Sequence, residues 1–151
     1  MTGEPGDEAS VTATSTASGV TAGALKRSAN LTANAGSNSM NSSNWTSSST
    51  ANSGDYYTFT ITPEAGCALS LTSLSLDLQA SATGPDEGNV ATSADGFASH
   101  TASFSTAGSP NVTLSATSTA SIEVRVYGYD ASSTAGTFRI ANSLTLTGSL
   151  H

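Results

Sequence analysis

Tyr57-Thr58-Phe59-Thr60-Ile61-Thr62 alternates a large apolar side chain with a threonine, residue by residue, and runs into Pro63-Glu64-Ala65-Gly66. Side chains of a strand point to opposite faces in turn, so this pattern predicts a strand with one face in a core and the other lined by hydroxyls. The Pro-Glu-Ala-Gly stretch has the composition of a turn. The same reading extends outward. Ile122, Val124 and Val126 form a second alternating run, with Arg125, Tyr127 and Tyr129 on the opposite face. Leu69 and Leu71 share one phase, whereas Leu74, Leu76 and Leu78 share the other. A side chain switches face with every residue, so the slip at Thr72-Ser73 calls for a bulge or a bend. Val112 and Leu114 mark a shorter strand, and Phe138, Ile140, Leu144 and Leu146 keep one phase near the end of the chain.

Helix signals are nearly absent. Leu, Glu, Lys, Gln and Arg are scarce, and Ala is scattered among Ser, Thr and Gly with no stripe at helical spacing. Turn-rich segments at 82–88 and 130–136 separate the strands. Strands at this spacing without intervening helices predict an all-β, jelly-roll-like β-sandwich. It spans residues 24–151 and is preceded by an extended N-terminal arm, residues 1–23.

Composition narrows the setting. Only 10% of the 151 residues are charged, against about 25% in an ordinary soluble domain. Ser and Thr fill about a third of the chain. Such a surface stays soluble through hydroxyls rather than ions, as in secreted and cell-surface β proteins, so an extracellular setting is expected. The net charge of −7 leaves only Lys26, Arg27, Arg125 and Arg139 as cations. Nucleic-acid binding needs many cations to displace counterions from phosphates, so it is excluded, and anionic membranes are disfavoured for the same reason. No stretch approaches the ~20 apolar residues of a membrane-spanning helix. Cys67 is the only cysteine, so no internal disulfide can form. Met1 is followed by Thr-Gly-Glu-Pro-Gly-Asp-Glu, which lacks the basic and apolar regions of a signal peptide. A mature or truncated start fits the composition best.

The first 54 residues read differently. Ala9-Ser-Val-Thr-Ala-Thr-Ser-Thr-Ala-Ser-Gly-Val20 alternates small residues with hydroxyls and carries few core anchors. Disorder is one reading of such a start. The other is a strand donated to a neighbour's sheet, where main-chain hydrogen bonds supply affinity and shallow pockets take alternate side chains. Val11, Thr12, Thr14, Thr16 and Val20 are then the contact residues.

Catalytic chemistry is poorly provided for. A hydrolase needs a positioned acid–base or nucleophile–base pair. The loop acids Asp86, Glu87, Asp95 and Asp130 form no such motif, and His100 and His151 are the only histidines. The chain is read as a non-enzyme. No cofactor is expected; a Ca²⁺ held by those loop acids through oxygen ligands is the one metal considered. Trp45, Tyr56, Tyr127 and Tyr129 are candidates for stacking on sugars or for a subunit contact. Asn30, Asn41, Asn44 and Asn111 begin Asn-X-Ser/Thr sequons and are candidate glycosylation sites.

Several stretches in order along the chain resemble one bacterial exoprotein type. They are Ala24-Leu25-Lys26-Arg27-Ser28-Ala29-Asn30-Leu31, Asp55-Tyr56-Tyr57-Thr58-Phe59-Thr60-Ile61-Thr62-Pro63, Ala65-Gly66-Cys67-Ala68-Leu69-Ser70-Leu71, Ser81-Ala82-Thr83-Gly84-Pro85, Ser93-Ala94-Asp95-Gly96-Phe97, Val126-Tyr127-Gly128-Tyr129-Asp130-Ala131, and Ala135-Gly136-Thr137-Phe138-Arg139-Ile140. Together they resemble the extracellular β-sandwich proteins that carry PEP-CTERM sorting signals in exopolysaccharide-producing bacteria. The resemblance implies an extracellular sandwich and no particular activity. The chain departs from the pattern at Cys67, where an aromatic is expected, and at Ala141, where an Asp precedes the Asn. The sorting signal itself is missing from the sequence.

The expected function is a structural subunit of an extracellular filament or matrix whose arm adds a strand to a neighbouring copy. Its partners are copies of itself. The alternative is a carbohydrate-binding module for an extracellular polysaccharide.

Overall fold

The computed structural model describes residues 1–151. Its strands, in chain order, are β1 (Pro5–Gly6), β2 (Ser10–Val11), β3 (Val20–Ala22), β4 (Leu25–Arg27), β5 (Thr32–Asn34), β6 (Ser39–Ser43), β7 (Tyr56–Pro63), β8 (Leu69–Ala80), β9 (Pro85–Thr92), β10 (Phe104–Ser105), β11 (Asn111–Ser118), β12 (Ile122–Ala131) and β13 (Phe138–Leu150). The one helical element is a single 3-10 turn, Ser93–Asp95.

Two sheets pack face to face as a β-sandwich. One carries the order β6-β13-β8-β11, and the other β7-β12-β9-β10. With β6 to β13 taken as eight consecutive strands, this is the strand order of a jelly roll. The remaining short strands decorate the edges: β1 and β5 pair with β6, β3 and β4 pair with β7, and β2 pairs with β4.

The alternation read in the sequence fills the core. Phe59, Ile61, Leu74, Leu76, Leu78, Ile122, Val124 and Val126 are all buried between the sheets. The bulge falls at Thr72: Ser73 and Leu71 of β8 face the adjacent residues Thr147 and Gly148 of β13, which leaves Thr72 as the extra residue. At one end of the core, three aromatic rings meet. Trp45 lies 5.3 Å from Tyr57 and 5.1 Å from Phe138 by ring centroids. Gly128 makes room for them, since a Cβ there would stand 2.7 Å from Phe138 Cδ1 and 3.1 Å from Trp45 Cε3.

The Ser- and Asn-rich segment ahead of β7 contributes one of these rings. β6, Ser39-Met40-Asn41-Ser42-Ser43, is buried along its whole length although four of its five residues are polar. Most of its polar groups are satisfied locally, although the buried Asn41 Oδ1 has no partner. Ser39 Oγ donates to the Gly36 carbonyl, Asn41 Nδ2 to the Ala35 carbonyl and Trp45 Nε1 to the Ser42 carbonyl.

Tyr57 is fully buried, and its hydroxyl donates to the Phe138 carbonyl at 2.5 Å. Burial holds the phenol in its neutral form far above the usual tyrosine range. The unfolded chain releases this proton near pH 10, while the folded chain keeps it. The stabilisation is therefore complete below pH ~10 and declines as pH rises above it. Tyr129 shifts in the same direction, chiefly by burial. Tyr57→Phe is expected to cost about 1–2 kcal/mol at neutral pH, because a buried carbonyl loses its donor. It should also make the alkaline fall in Tm shallower. Thermal melts of both proteins between pH 8 and 11 check this.

Candidate functional site

The sheet containing β13 is incomplete. In a jelly roll β6 flanks β13, but here β6 pairs only with Phe138–Ala141. The chain turns away at Asn38, which sits in the left-handed region with φ 55, and β5 folds back on β6 instead. From Leu144 to Leu150, β13 is paired with β8 on one side and with nothing on the other. This edge carries no charged residue and no proline, two of the devices that usually block strand addition.

The open edge borders a groove of about 990 Å³ between the two sheets. Leu144, Leu146 and Leu150 line it from β13, Leu71 from β8, and Phe59 and Ile61 from β7. The first three are only partly buried, unlike the same-phase Phe138 and Ile140 further back on β13.

The N-terminal segment rims this groove, and it does not project as an extended arm. β1 runs parallel to β6, β2 pairs with β4, and β3 pairs with β7. Val11 and Val20 are half-buried against the core margin. Between them, Thr12 to Ser18 forms an exposed loop over the groove that has no strand partner and ends in a turn at Ser18–Gly19. Thr12, Thr14 and Thr16 lie in that loop. Arg27 fixes the residues ahead of it. Its guanidinium donates to the carbonyls of Glu8 at 2.6 Å, Gly6 at 3.1 Å and Asn41 at 3.3 Å, and to Ser42 Oγ at 2.9 Å.

The aromatic residues do not form a sugar platform. Trp45 is 1% exposed and belongs to the core, so it cannot stack on a ligand. Tyr127 and Tyr129 lie on the outer face of β12, yet they are 2% and 5% exposed. The segment from Ser93 to Ser105 folds over that face and brings the His100 ring to 5.0 Å from Tyr127. Tyr56 is half-buried and edge-on to Tyr127 at 5.6 Å. The Arg125 guanidinium occupies its ring face at 4.2 Å and that of Phe97 at 3.8 Å. No large hydrophobic side chain is exposed anywhere on the molecule.

Asn41 is likewise corrected as a glycosylation site, since its side chain is buried and bonded to Ala35. Asn30, Asn44 and Asn111 stand at the surface. The loop acids are not gathered into one ligand set. Glu87 accepts the Tyr129 hydroxyl at 3.2 Å, and Asp95 accepts the Ser99 N–H at 3.0 Å. Hydrogen bonding by Ser99, chiefly through its side chain and also through this N–H, draws the Asp95 carboxyl below its ordinary range.

Two elements of this site were not singled out from sequence, the unpaired edge of β13 and the Arg27 clamp. An uncharged, proline-free strand after Arg139 was the available signal for the first. The second depends on contacts far apart in the chain. The fold and the groove define a class: a β-sandwich with one strand position vacant. Comparison with family models, curated proteins and solved structures gave no match.

Proposed function

We propose that the protein is a structural subunit of an extracellular filament or matrix that assembles by inter-subunit strand addition. The N-terminal arm supplies the strand. The observation that carries this reading is the unpaired edge of β13 lying against an open apolar groove. A strand placed there would complete the sheet through main-chain hydrogen bonds and cover Leu144, Leu146 and Leu150. The arm suits the position. It carries no charge from Ala9 to Leu25, and it alternates Val11, Ala13, Ser15 and Ala17 with Thr12, Thr14 and Thr16. A contact between the arm of one copy and the groove of the next is heterologous, so it propagates as an open filament wherever the rotation between copies does not close a ring.

Negative-stain electron microscopy and light scattering of the purified chain test this. Regular polymers are expected. An excess of a synthetic peptide spanning residues 9–20 should cap the grooves and shorten them. Monodisperse monomer at all concentrations, or polymers indifferent to the peptide, would count against strand addition.

A further inference from the structure

We infer that the arm is exchanged between copies rather than simply added. Residues ahead of Gly19 leave their own sandwich and dock on the next one in the same way, and residues 12–18 gain a partner strand there. This deepens the filament reading and rests on it.

The geometry of the loop leads to this conclusion. Val11 is held opposite Leu25, and Val20 opposite Pro63. Both anchors belong to the sheet of β7, whereas the vacant edge belongs to the sheet of β13. Sheets stack about 10 Å apart, and a seven-residue strand spans about 20 Å. To line β13 while held at both ends, the loop would cross the gap twice and need roughly 40 Å. The nine Cα–Cα steps from Val11 to Val20 reach at most roughly 30 Å. Residues 12–18 therefore cannot line β13 along their whole length while both anchors hold, and they have no strand partner.

Releasing the N-terminal anchor removes one crossing, and the length then suffices. That anchor consists of the two-residue strands β1 and β2, the Arg27 contacts, and the hydrogen bonds from the Met1 amino group to the Asn142 carbonyl and from the Gly3 N–H to Asn38 Oδ1. The docked arm leaves the buried Glu8 Oε1 without a hydrogen-bond partner. Folding the released arm back into its own groove would forfeit the β1 and β2 pairings and the Arg27 contacts. Docking it on a second copy restores all of them, because that copy's arm has left the same places. Exchange thus retains what the closed monomer has and adds pairing along part of the β13 edge, which the monomer lacks. This is the energetic logic of a domain swap.

The hinge is Gly19. It has φ +81, in the left-handed region that favours glycine, and a Cβ there would stand 2.6 Å from Leu150 Cδ1 at the end of the groove. β3, which begins at the next residue, stays with its own sandwich.

Disulfide trapping separates exchange from the alternatives. Ser10→Cys with Lys26→Cys joins exposed Cα partners of β2 and β4, in a Cys67→Ser background that removes the native thiol. Cross-strand partners lie within the range a disulfide spans. Polymers formed under reduction, then oxidised and denatured, should run as a ladder of covalent multimers on a non-reducing gel. Thr21→Cys with Thr62→Cys, across the retained β3–β7 pair, should give linked monomers only. Polymers whose 10–26 disulfide runs as monomer would overturn exchange and leave the filament reading standing. A chain that forms no polymer overturns both.

Discussion

Leu146→Lys is expected to abolish assembly while leaving the monomer folded. Leu146 lies opposite Leu74 on β8 and lines the groove, but it is only partly buried. In the monomer the lysine stem can lie along the groove and its ammonium can reach water, as long amphipathic side chains do. Stability should change by about 1 kcal/mol or less, in line with partly exposed positions. Once a strand covers the groove, the ammonium is trapped without an anionic partner. Burying an unpaired charge costs several kcal/mol, enough to reduce polymerisation by three orders of magnitude or more. Leu146→Met keeps the apolar volume and should still assemble. Sedimentation of polymer, with a thermal melt of the supernatant, measures both effects. Unchanged polymers from the lysine variant would show that this groove is not where copies meet.

Trp45→Ala is expected to bring the largest loss of stability, about 3–5 kcal/mol, as for a large aromatic removed from a packed core. Two terms add. The indole packs against Tyr57 and Phe138 with its ring 1% exposed, so truncation leaves a cavity that β-strands on either side cannot close. Its Nε1 also satisfies the Ser42 carbonyl at 2.8 Å inside the protein. For a domain of this size the fall in Tm should be about 10–15 °C, read by circular dichroism or calorimetry. A fall of only one or two degrees would mean that the aromatic cluster does not hold this end of the sandwich together.

These two residues also mark what the sequence could and could not reveal. Leu146 belongs to an alternating run, and such runs are visible because a strand with one wet face repeats every two residues. β7, β8, β12 and β13 were legible on that ground, as was the bulge at Thr72. Trp45 was not legible as core. It follows β6, whose Ser-Met-Asn-Ser-Ser composition resembles a loop, and that strand is buried only because its neighbours β13 and β5 pair with it. Tyr127 and Tyr129 misled for a related reason. Alternation puts them correctly on the outer face, but a segment with no strand pattern of its own, Ser93 to Ser105, then covers them. The vacancy beside β13 is harder still to foresee. It is the absence of a pairing, determined by where β6 turns away at Asn38, and the uncharged, proline-free run after Arg139 permits it without encoding it. The arm's short strands escaped notice because two- and three-residue pairings rest on Arg27 and on the sheet edges, not on their own side chains.

The run without charge from Ala9 to Leu25 and the uncharged edge from Ile140 to Leu150 have a bearing on the medium in which such a subunit would work. An interface held by ion pairs loosens as electrolyte screens it. Main-chain hydrogen bonds and buried leucines offer salt almost nothing to screen, and strongly excluded salts such as sulfate reinforce apolar burial. The strand-addition part of such a joint would hold in dilute water and in brine alike, leaving only the Arg27 end of the exchanged arm open to screening.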